Sequence, residues 1–534
     1  MKKTILSILA AGALAVSCND TWNEHYQGGE AMGEGQASLL TLVDQNPELS
    51  DFAKVLRATH LYNNMHVTPV TYADLLDSDQ SLTVWAPVNG SFNADSLLQL
   101  CQTSQGDSAV GQHFVGNHIA HNLYNMNGLT DNKVKMVNNK MLHLSSGALV
   151  DAKVRQGGMN LPATNGLLNI VEQDASYTYN IYEALTSLPE YAHLGGFLKG
   201  YETSELDEEH SIVASIEDGQ KVYSDSVMKQ ENILFRTFDY INSEDSAFTM
   251  LVPTAQMWEE LVTEARPYFN YGSVAKADSI QNYWMNVSLM QDLIFNNNAQ
   301  RSLNDSVIMT SYSREEYPYH VYYKPYGESG ILNPSLLSGR TDCSNGTMYQ
   351  LSSWPFSKQQ LYFRPITVQG EREANLLAST DCTVNYRSVV ADSVSGNGYM
   401  VISPKSSTSN WTATFEVQNT LAGTYDLSAV VLPKTVYNIY SRDVKPNKFT
   451  AVVNYVDADG KKHSEQFKTE LSNNPREVDT IKIARITLPV CNYRRTDATV
   501  SVQLKCSITS RQTTYSREMY LDCLYLQPVD EDEK

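Results

Sequence analysis

The chain reads as a multidomain protein in which two tandem α+β domains precede an all-β sandwich. Three observations predict this. A strand, proline, turn and helix succession, "LTVWAPVNGSF" at residues 82–92, returns as "FTMLVPTAQMW" at 248–258. An asparagine–glycine turn opening an apolar strand, "NGLLNIVE" at 165–172, returns in the same order as "NGTMYQLS" at 345–352. Beyond about residue 370, helical periodicity gives way to short alternating runs separated by glycine, proline and Asx turns. Internal repeats of this kind mark duplicated units, and the unequal spacing of the two anchors is explained by insertion.

Composition narrows the function classes. The chain has 534 residues, 42% of them hydrophobic, enough for several cores. Its formal net charge is −20, which repels phosphate backbones and excludes nucleic acid as a partner. The N-terminus carries Lys2 and Lys3, an apolar stretch at 5–16 too short for the roughly 20 residues of a membrane span, and "LAVSC" ending at Cys18. Small residues before a cysteine resemble the lipobox of bacterial lipoproteins. That resemblance implies a signal peptide at 1–17, lipidation of Cys18, and anchorage through buried acyl methylenes. Residues 18–36, polar and glycine-rich, then form a flexible tether. The other six cysteines are widely and irregularly spaced with no CxxC pair, so they predict core residues rather than a zinc or redox centre.

Within the body, "SLLTLVDQNPELSDFAKVLRATHLYNNM" sets Leu49, Phe52, Val55 and Leu56 at helical spacing, with Ser50 or Asp51 as the cap. The strand of 82–87 ends at Pro87 because proline cannot donate to a ladder. Asn89 and Ser91 suit the following turn and the cap of the helix "NADSLLQL". "MLHLSSGALVDAKVRQGGMNLPATNGLLNIVE" alternates in short runs and predicts consecutive strands. "NIYEALTSLPEYAHLGGFLKGY" is helical, with Ile181, Leu185, Leu188, Tyr191 and Leu194 near one face. A long polar insertion at about 201–245 follows. Helices over "MWEELVTEA" and "WMNVSLMQDLIF" and a tyrosine-rich strand region complete the second copy. The last third, from "GYMVISP" to "EMYLDCLYLQPV", has the strand spacing of a sandwich of jelly-roll or galactose-binding-like type. "DADG" at 457–460 is a hairpin turn; it echoes a calcium loop but lacks the closing glutamate.

The first copy, with "LTVWAPVNGSF", "GNHIAHNLY" and "NGLLNIVE" in order, resembles the fasciclin-like domain. The second is more divergent and sets Asn297 against His118. The resemblance implies compact α+β domains at 37–174 and 175–369, with the sandwich at 370–534 outside it. It also implies extracellular adhesion or ligand capture without catalysis. "CNDTWNEHY" ahead of such domains resembles lipoproteins of Bacteroidota, which implies an outer-membrane location, periplasmic or surface-exposed. Repeated Asp-Ser-aliphatic triplets, at Asp95, Asp107 and Asp245 among others, resemble the O-glycosylation sequon of that phylum.

No nucleophile elbow, phosphate loop, dinucleotide fingerprint or HExxH helix is present. His118 and His121, one turn apart on a helix, could chelate a metal, but no third ligand is evident; they read as packing or surface residues. Tyrosine is abundant at 32 residues, and "YPYHVYY" alternates so that one face is open. The candidate binding surface is therefore His118, His121, Tyr317, Tyr319, Tyr322 and Tyr323, since exposed aromatic faces contact sugar rings and proteins at low entropic cost. No cofactor is expected, and the expected partner is a protein or polysaccharide at the cell surface. Two rival functions are a glycan-binding accessory of an outer-membrane polysaccharide-uptake system and a glycan-active hydrolase. A hydrolase needs two carboxylates that meet only in space.

Overall fold

The computed structural model describes residues 35–63, 66–129, 132–208, 211–217, 220–226, 228–297, 307–312, 320–442, 444–497 and 499–530. Cys18, Tyr317 and Tyr319, with the signal and most of the tether, lie outside the described residues. The described chain packs as two compact units. One comprises residues up to Met250 with 296–299 and 340–348; the other comprises 251–295, 300–339 and 349 onward.

In the first unit the Leu82–Pro87 strand is buried along its whole length. It is apolar because both faces are covered. Leu82, Val84 and Ala86 join a cluster with Leu39, Phe52, Leu56 and Leu76 from the helices. Trp85 joins Val134, Leu142, Leu144 and Leu149 from a four-stranded meander. Alternate side chains of one strand thus serve two cores. The Gly166–Val171 strand runs parallel beside it, Leu82 opposite Gly166 and Pro87 opposite Val171. Ile119–His121 and Leu161–Ala163 flank the pair in antiparallel fashion. The short strands expected after Met141 are present at Met141–Ser145, Ala148–Leu149 and Ala152–Lys153.

The order of this sheet recurs. Ile294–Asn296, Phe248–Val252, Gly346–Leu351 and Leu337–Cys343 stand in the same sequence as Ile119–His121, Leu82–Pro87, Gly166–Val171 and Leu161–Ala163. The turn asparagines make equivalent bonds. Asn165 accepts the Leu39 N–H through its side chain (2.9 Å) and donates to the carbonyls of Leu76 and Ser78 (2.9 and 2.7 Å). Asn345 accepts the Ile181 N–H (2.9 Å) and donates to the carbonyls of Ile241 and Ser243 (2.8 and 3.0 Å). Each asparagine satisfies the first free N–H of a helix and ties a loop to it. The glycine beside each is required by close approach: a Cβ at Gly166 or Gly346 would sit 2.1 Å from the carbonyl oxygen of Leu82 or Phe248.

Several details refine the expectation. The helix Ser50–Ala58 is not capped by Ser50 or Asp51, which lie inside it; its first N–H groups are served across the fold, the Asp51 N–H donating to the Asn89 side chain at 2.9 Å. Asn89 is thereby spent, and Asn93 caps Ala94–Leu100. Phe92 sits in the turn with its ring 4.9 Å from Phe114, whereas Trp258 lies inside the helix Ala255–Ala265. The 181–199 segment is two helices, Ile181–Ser187 and Ala192–Lys199, parted at Pro189, and Leu188 is only half-buried. The polar insertion contains paired strands: Glu202–Leu206 pairs Met228–Asn232, and Ile212–Glu217 pairs Gln220–Asp225.

The C-terminal part of the second unit is a two-sheet β-sandwich. One sheet runs Cys382–Ser388, Gly398–Pro404, Met519–Pro528, Gly423–Val431, Asp479–Leu488, with Ile366–Gln369 also pairing Met519–Pro528. The other runs Leu376–Thr380, Thr412–Glu416, Ser501–Cys506, Lys448–Val456, Lys462–Ser472. Alternation is plain in Ser501–Cys506, whose Val502 and Leu504 are fully buried between half-exposed neighbours. The 457–460 segment is the hairpin turn: Asp457 accepts the N–H groups of Asp459 and Lys461, and Gly460 has φ +81°.

Candidate functional site

Neither histidine is part of an open metal site. His118 ends a 3₁₀ turn, Val115–His118, and His121 ends the following strand, so the two do not share a helix face. His118 is fully buried. Its Nδ1–H donates to the Phe114 carbonyl (2.7 Å) and its Nε2 accepts the Ala175 N–H (2.9 Å). Both ring nitrogens are committed to backbone, and burial pushes the imidazole pKa below its ordinary value. His118 is therefore a packing residue and leaves the candidate surface, while His121 is exposed. Its counterpart in the second sheet is not Asn297. Asn297 donates its N–H to Ala247 as Asn122 does to Ser81, so Asn297 matches Asn122.

Tyr322 is 44% exposed and remains a surface residue. Tyr323 turns inward: its hydroxyl donates to Asp292 at 2.6 Å and its ring meets Phe295 and Phe356 edge-on. Alternation along the strand thus holds, but only one of this pair is available for contact. Asp107, of one Asp-Ser-aliphatic triplet, is buried and accepts from the His60 ring and N–H, which fixes that triplet in the fold.

The sandwich carries a polar recess. A cleft of about 220 Å³ lies between the long connection after Gly423–Val431 and the segment that enters Met519–Pro528. Lys434, Lys445, Tyr515, Glu518 and Tyr520 face it. Its floor is rigid. Buried Asn447 donates through its side chain to the carbonyls of Ser516 and Glu518 (2.9 and 2.7 Å), and its own N–H is taken by Asn473 at 2.6 Å. Glu518 is held on both oxygens, by the Tyr520 hydroxyl at 2.8 Å and by Ser403 at 3.3 Å, with the Lys434 ammonium 3.6 Å away. Burial, and then the bond to Glu518, push the Tyr520 phenol well above its usual value, so it stays a donor. Lys448 lies 5.6 Å from the Tyr515 ring centre.

The connection that supplies Lys434 and Lys445 also exposes three large side chains. Tyr437, Ile439 and Tyr440 are 58%, 74% and 83% exposed, and Arg387 packs 5.6 Å from the Tyr437 ring. A polar recess on a connection that also carries exposed aromatic side chains can bind a ring that is apolar on its faces and hydroxylated at its edge. Sequence reasoning missed this site because three distant segments build it. One signal was legible: "PKTVYNIYSRDVKPNK" is a long, tyrosine-bearing connection in a domain of short turns.

Reactive groups are otherwise muted. The six described cysteines are unpaired, and burial pushes the Cys491 and Cys523 thiols up to about 12. Among the described residues, no three His, Cys, Asp or Glu side chains gather as a metal site, and no helix is long and apolar enough to cross a membrane.

No family model matches the chain, and no curated protein matches it. Among solved structures it is similar to a Paenibacillus xanthan lyase, with 13% identity and a TM-score of 0.22, covering 36% of this chain and 18% of that one. It is similar to the CBM35 module of a Cellvibrio japonicus protein, with 14% identity and a TM-score of 0.20, covering 31% of this chain and 95% of that one. It is also similar to the CBM22-1 xylan-binding domain of a Paenibacillus barcinonensis protein, with 10% identity and a TM-score of 0.21, covering 32% and 94%. Likeness at this level carries no conclusion about activity.

Proposed function

We propose that the chain is a non-catalytic, lipid-anchored glycan-capture protein of the outer membrane, in which the sandwich cleft binds polysaccharide. The observation that carries this reading is the polar recess of Lys434, Glu518 and Tyr520, one wall of which comes from the connection that also exposes Tyr437 and Tyr440. Sugar recognition needs both parts: aromatic faces for the C–H surface of the ring and fixed donors and acceptors for its hydroxyls. The two N-terminal segments resemble fasciclin-like domains and serve as the platform between the anchor at Cys18 and the sandwich. Electrophoresis of the protein through gels containing a panel of polysaccharides tests this. Retardation in at least one, relieved in the Tyr437→Ala/Tyr440→Ala double variant, is expected; unchanged mobility in every gel would sink the reading.

A second reading is favoured by a different observation. The paired strands Ile212–Glu217 and Gln220–Asp225 expose Ile212 and Ile216 at 60% and 71%. A two-stranded ribbon with open apolar side chains is marginal alone and suits a protein partner. In that reading the chain is an adhesin that binds protein through its α+β part. Pull-down of a cell-surface protein that is lost in Ile212→Ser/Ile216→Ser, together with no polysaccharide retardation, would favour it.

A further inference from the structure

The charge of the chain is unevenly placed. Residues 1–369 hold 40 Asp and Glu against 21 Lys and Arg, while residues 370–534 hold 20 against 19. The sandwich region is therefore close to neutral, and the excess acidity lies ahead of it. Within the sandwich the charges are also sorted. The two connections that wall the cleft, 433–448 and 508–517, hold six Lys and Arg against one acid, Asp443. The acid that lines the cleft, Glu518, follows the second connection directly.

Lys434 and Lys445 face the recess. The Lys434 side chain is half-exposed and sits 3.6 Å from Glu518, whose oxygens already accept from Tyr520 and Ser403. Glu518 thus steadies the ammonium without enclosing it. Lys448 is nearly buried and paired with Glu470 at 2.7 Å, so it fixes the wall rather than meeting a ligand. Arg517 donates to the carbonyls of Ser407 and Ile508 at 2.9 and 2.7 Å. These acceptors are neutral: they hold the guanidinium in place and leave its charge standing. Cations of this density along a recess concentrate a positive field in it. Salt screens such a field beyond about 8 Å, so the local excess decides what enters, not the −20 of the whole chain.

We propose that the cleft selects acidic polysaccharide, with the Lys434 and Lys445 ammonium groups meeting carboxylate or sulfate groups carried on the sugar ring. This rests on the reading of the cleft as a glycan site and names the class of glycan it takes. Lysine presents a compact point charge rather than a planar fork, so the arrangement sets the sign of the ligand and not the shape of its anionic group. Tyr515 in the wall offers an aromatic face to the C–H surface of the ring, which a plain polyanion has no means to use.

The test is isothermal titration of the full chain with matched polymers: dextran against dextran sulfate, and methyl-esterified homogalacturonan against its acidic, de-esterified form. The acidic member of at least one pair is expected to bind about tenfold more tightly than its neutral twin, and more weakly as sodium chloride is raised. Lys434→Gln/Lys445→Gln is expected to lose about tenfold in affinity for that acidic polymer, with an unchanged unfolding midpoint. Lys461→Gln/Lys462→Gln removes the same charge at the hairpin turn, the far end of the Lys448–Val456 strand, and is expected to bind like the parent. Equal or tighter binding of the neutral members overturns this proposal and leaves the glycan reading standing; binding of no polymer overturns both. The proposal is also overturned if the two double variants lose affinity alike, or if polyphosphate competes as well as the acidic polymer. Binding to phosphatidylglycerol vesicles through the two lysines, with none to polysaccharide, would overturn it in favour of a membrane contact.

Discussion

The two strand–proline corners, at Pro87 and Pro253, share a backbone and differ in what their side chains reach. In both, an Asn–Gly turn lays one strand beside another, and the asparagine ties a helix start to a loop. In the second corner Thr254 follows the proline directly and caps the adjoining helix, accepting the Met257 N–H at 3.2 Å. In the first, extra residues separate Pro87 from the cap at Asn93, and this frees Asn89 to cap a helix 38 positions earlier. The elements that recur are those the backbone geometry demands. The elements that differ are polar side chains free to choose partners.

That contrast can be broken in order of expected effect. Gly166→Ala and Gly346→Ala force a methyl against a strand carbonyl in either copy, and each is expected to destabilise by about 3 kcal/mol in urea unfolding. A large loss in one and none in the other would mean that the two turns are not equivalent. Asn165→Ala and Asn345→Ala each strand an N–H and two carbonyls, for an expected loss of about 2–3 kcal/mol. The cap variants sharpen the difference: Asn89→Ala and Thr254→Ala should each cost about 1 kcal/mol. Only the first should speed amide exchange in the remote helix Ser50–Ala58; the second should loosen its own helix alone.

The smallest effect is one of pH. The first copy has His118 where the second has Leu293, one position before the edge strand in each. Burial holds the native His118 pKa below the unfolded value of about 6.5. The unfolded chain therefore binds the extra proton first, so stability should fall as pH drops below about 6.5 and be fully present above it. Thermal midpoints of His118→Gln between pH 5 and 8 should lack that part of the acid slope.

Sequence pattern revealed the sandwich because its strands alternate cleanly, and the corners because proline and Asn–Gly act locally. It revealed the fully buried 82–87 strand as an apolar run but not that alternate residues serve different cores. The strand pairs of the insertion escaped notice because Glu202–Leu206 and Met228–Asn232 are largely polar and carry no apolar stripe to read. His118 reads in sequence as a helical histidine one turn from His121, because its second partner, the N–H of Ala175, is 57 residues away. The cleft escaped for the same reason: Lys434, Asn473 and Glu518 come from three separate connections and converge only in the folded sandwich.

The central claim is that the sandwich cleft and its flanking tyrosines bind glycan. Isothermal titration of the intact protein with oligosaccharides of the polysaccharide that retards it tests this most directly, set against Tyr437→Ala/Tyr440→Ala and Glu518→Gln. The account predicts at least a tenfold loss of affinity in each variant with an unchanged unfolding midpoint. Parent-like affinity in both variants would contradict it.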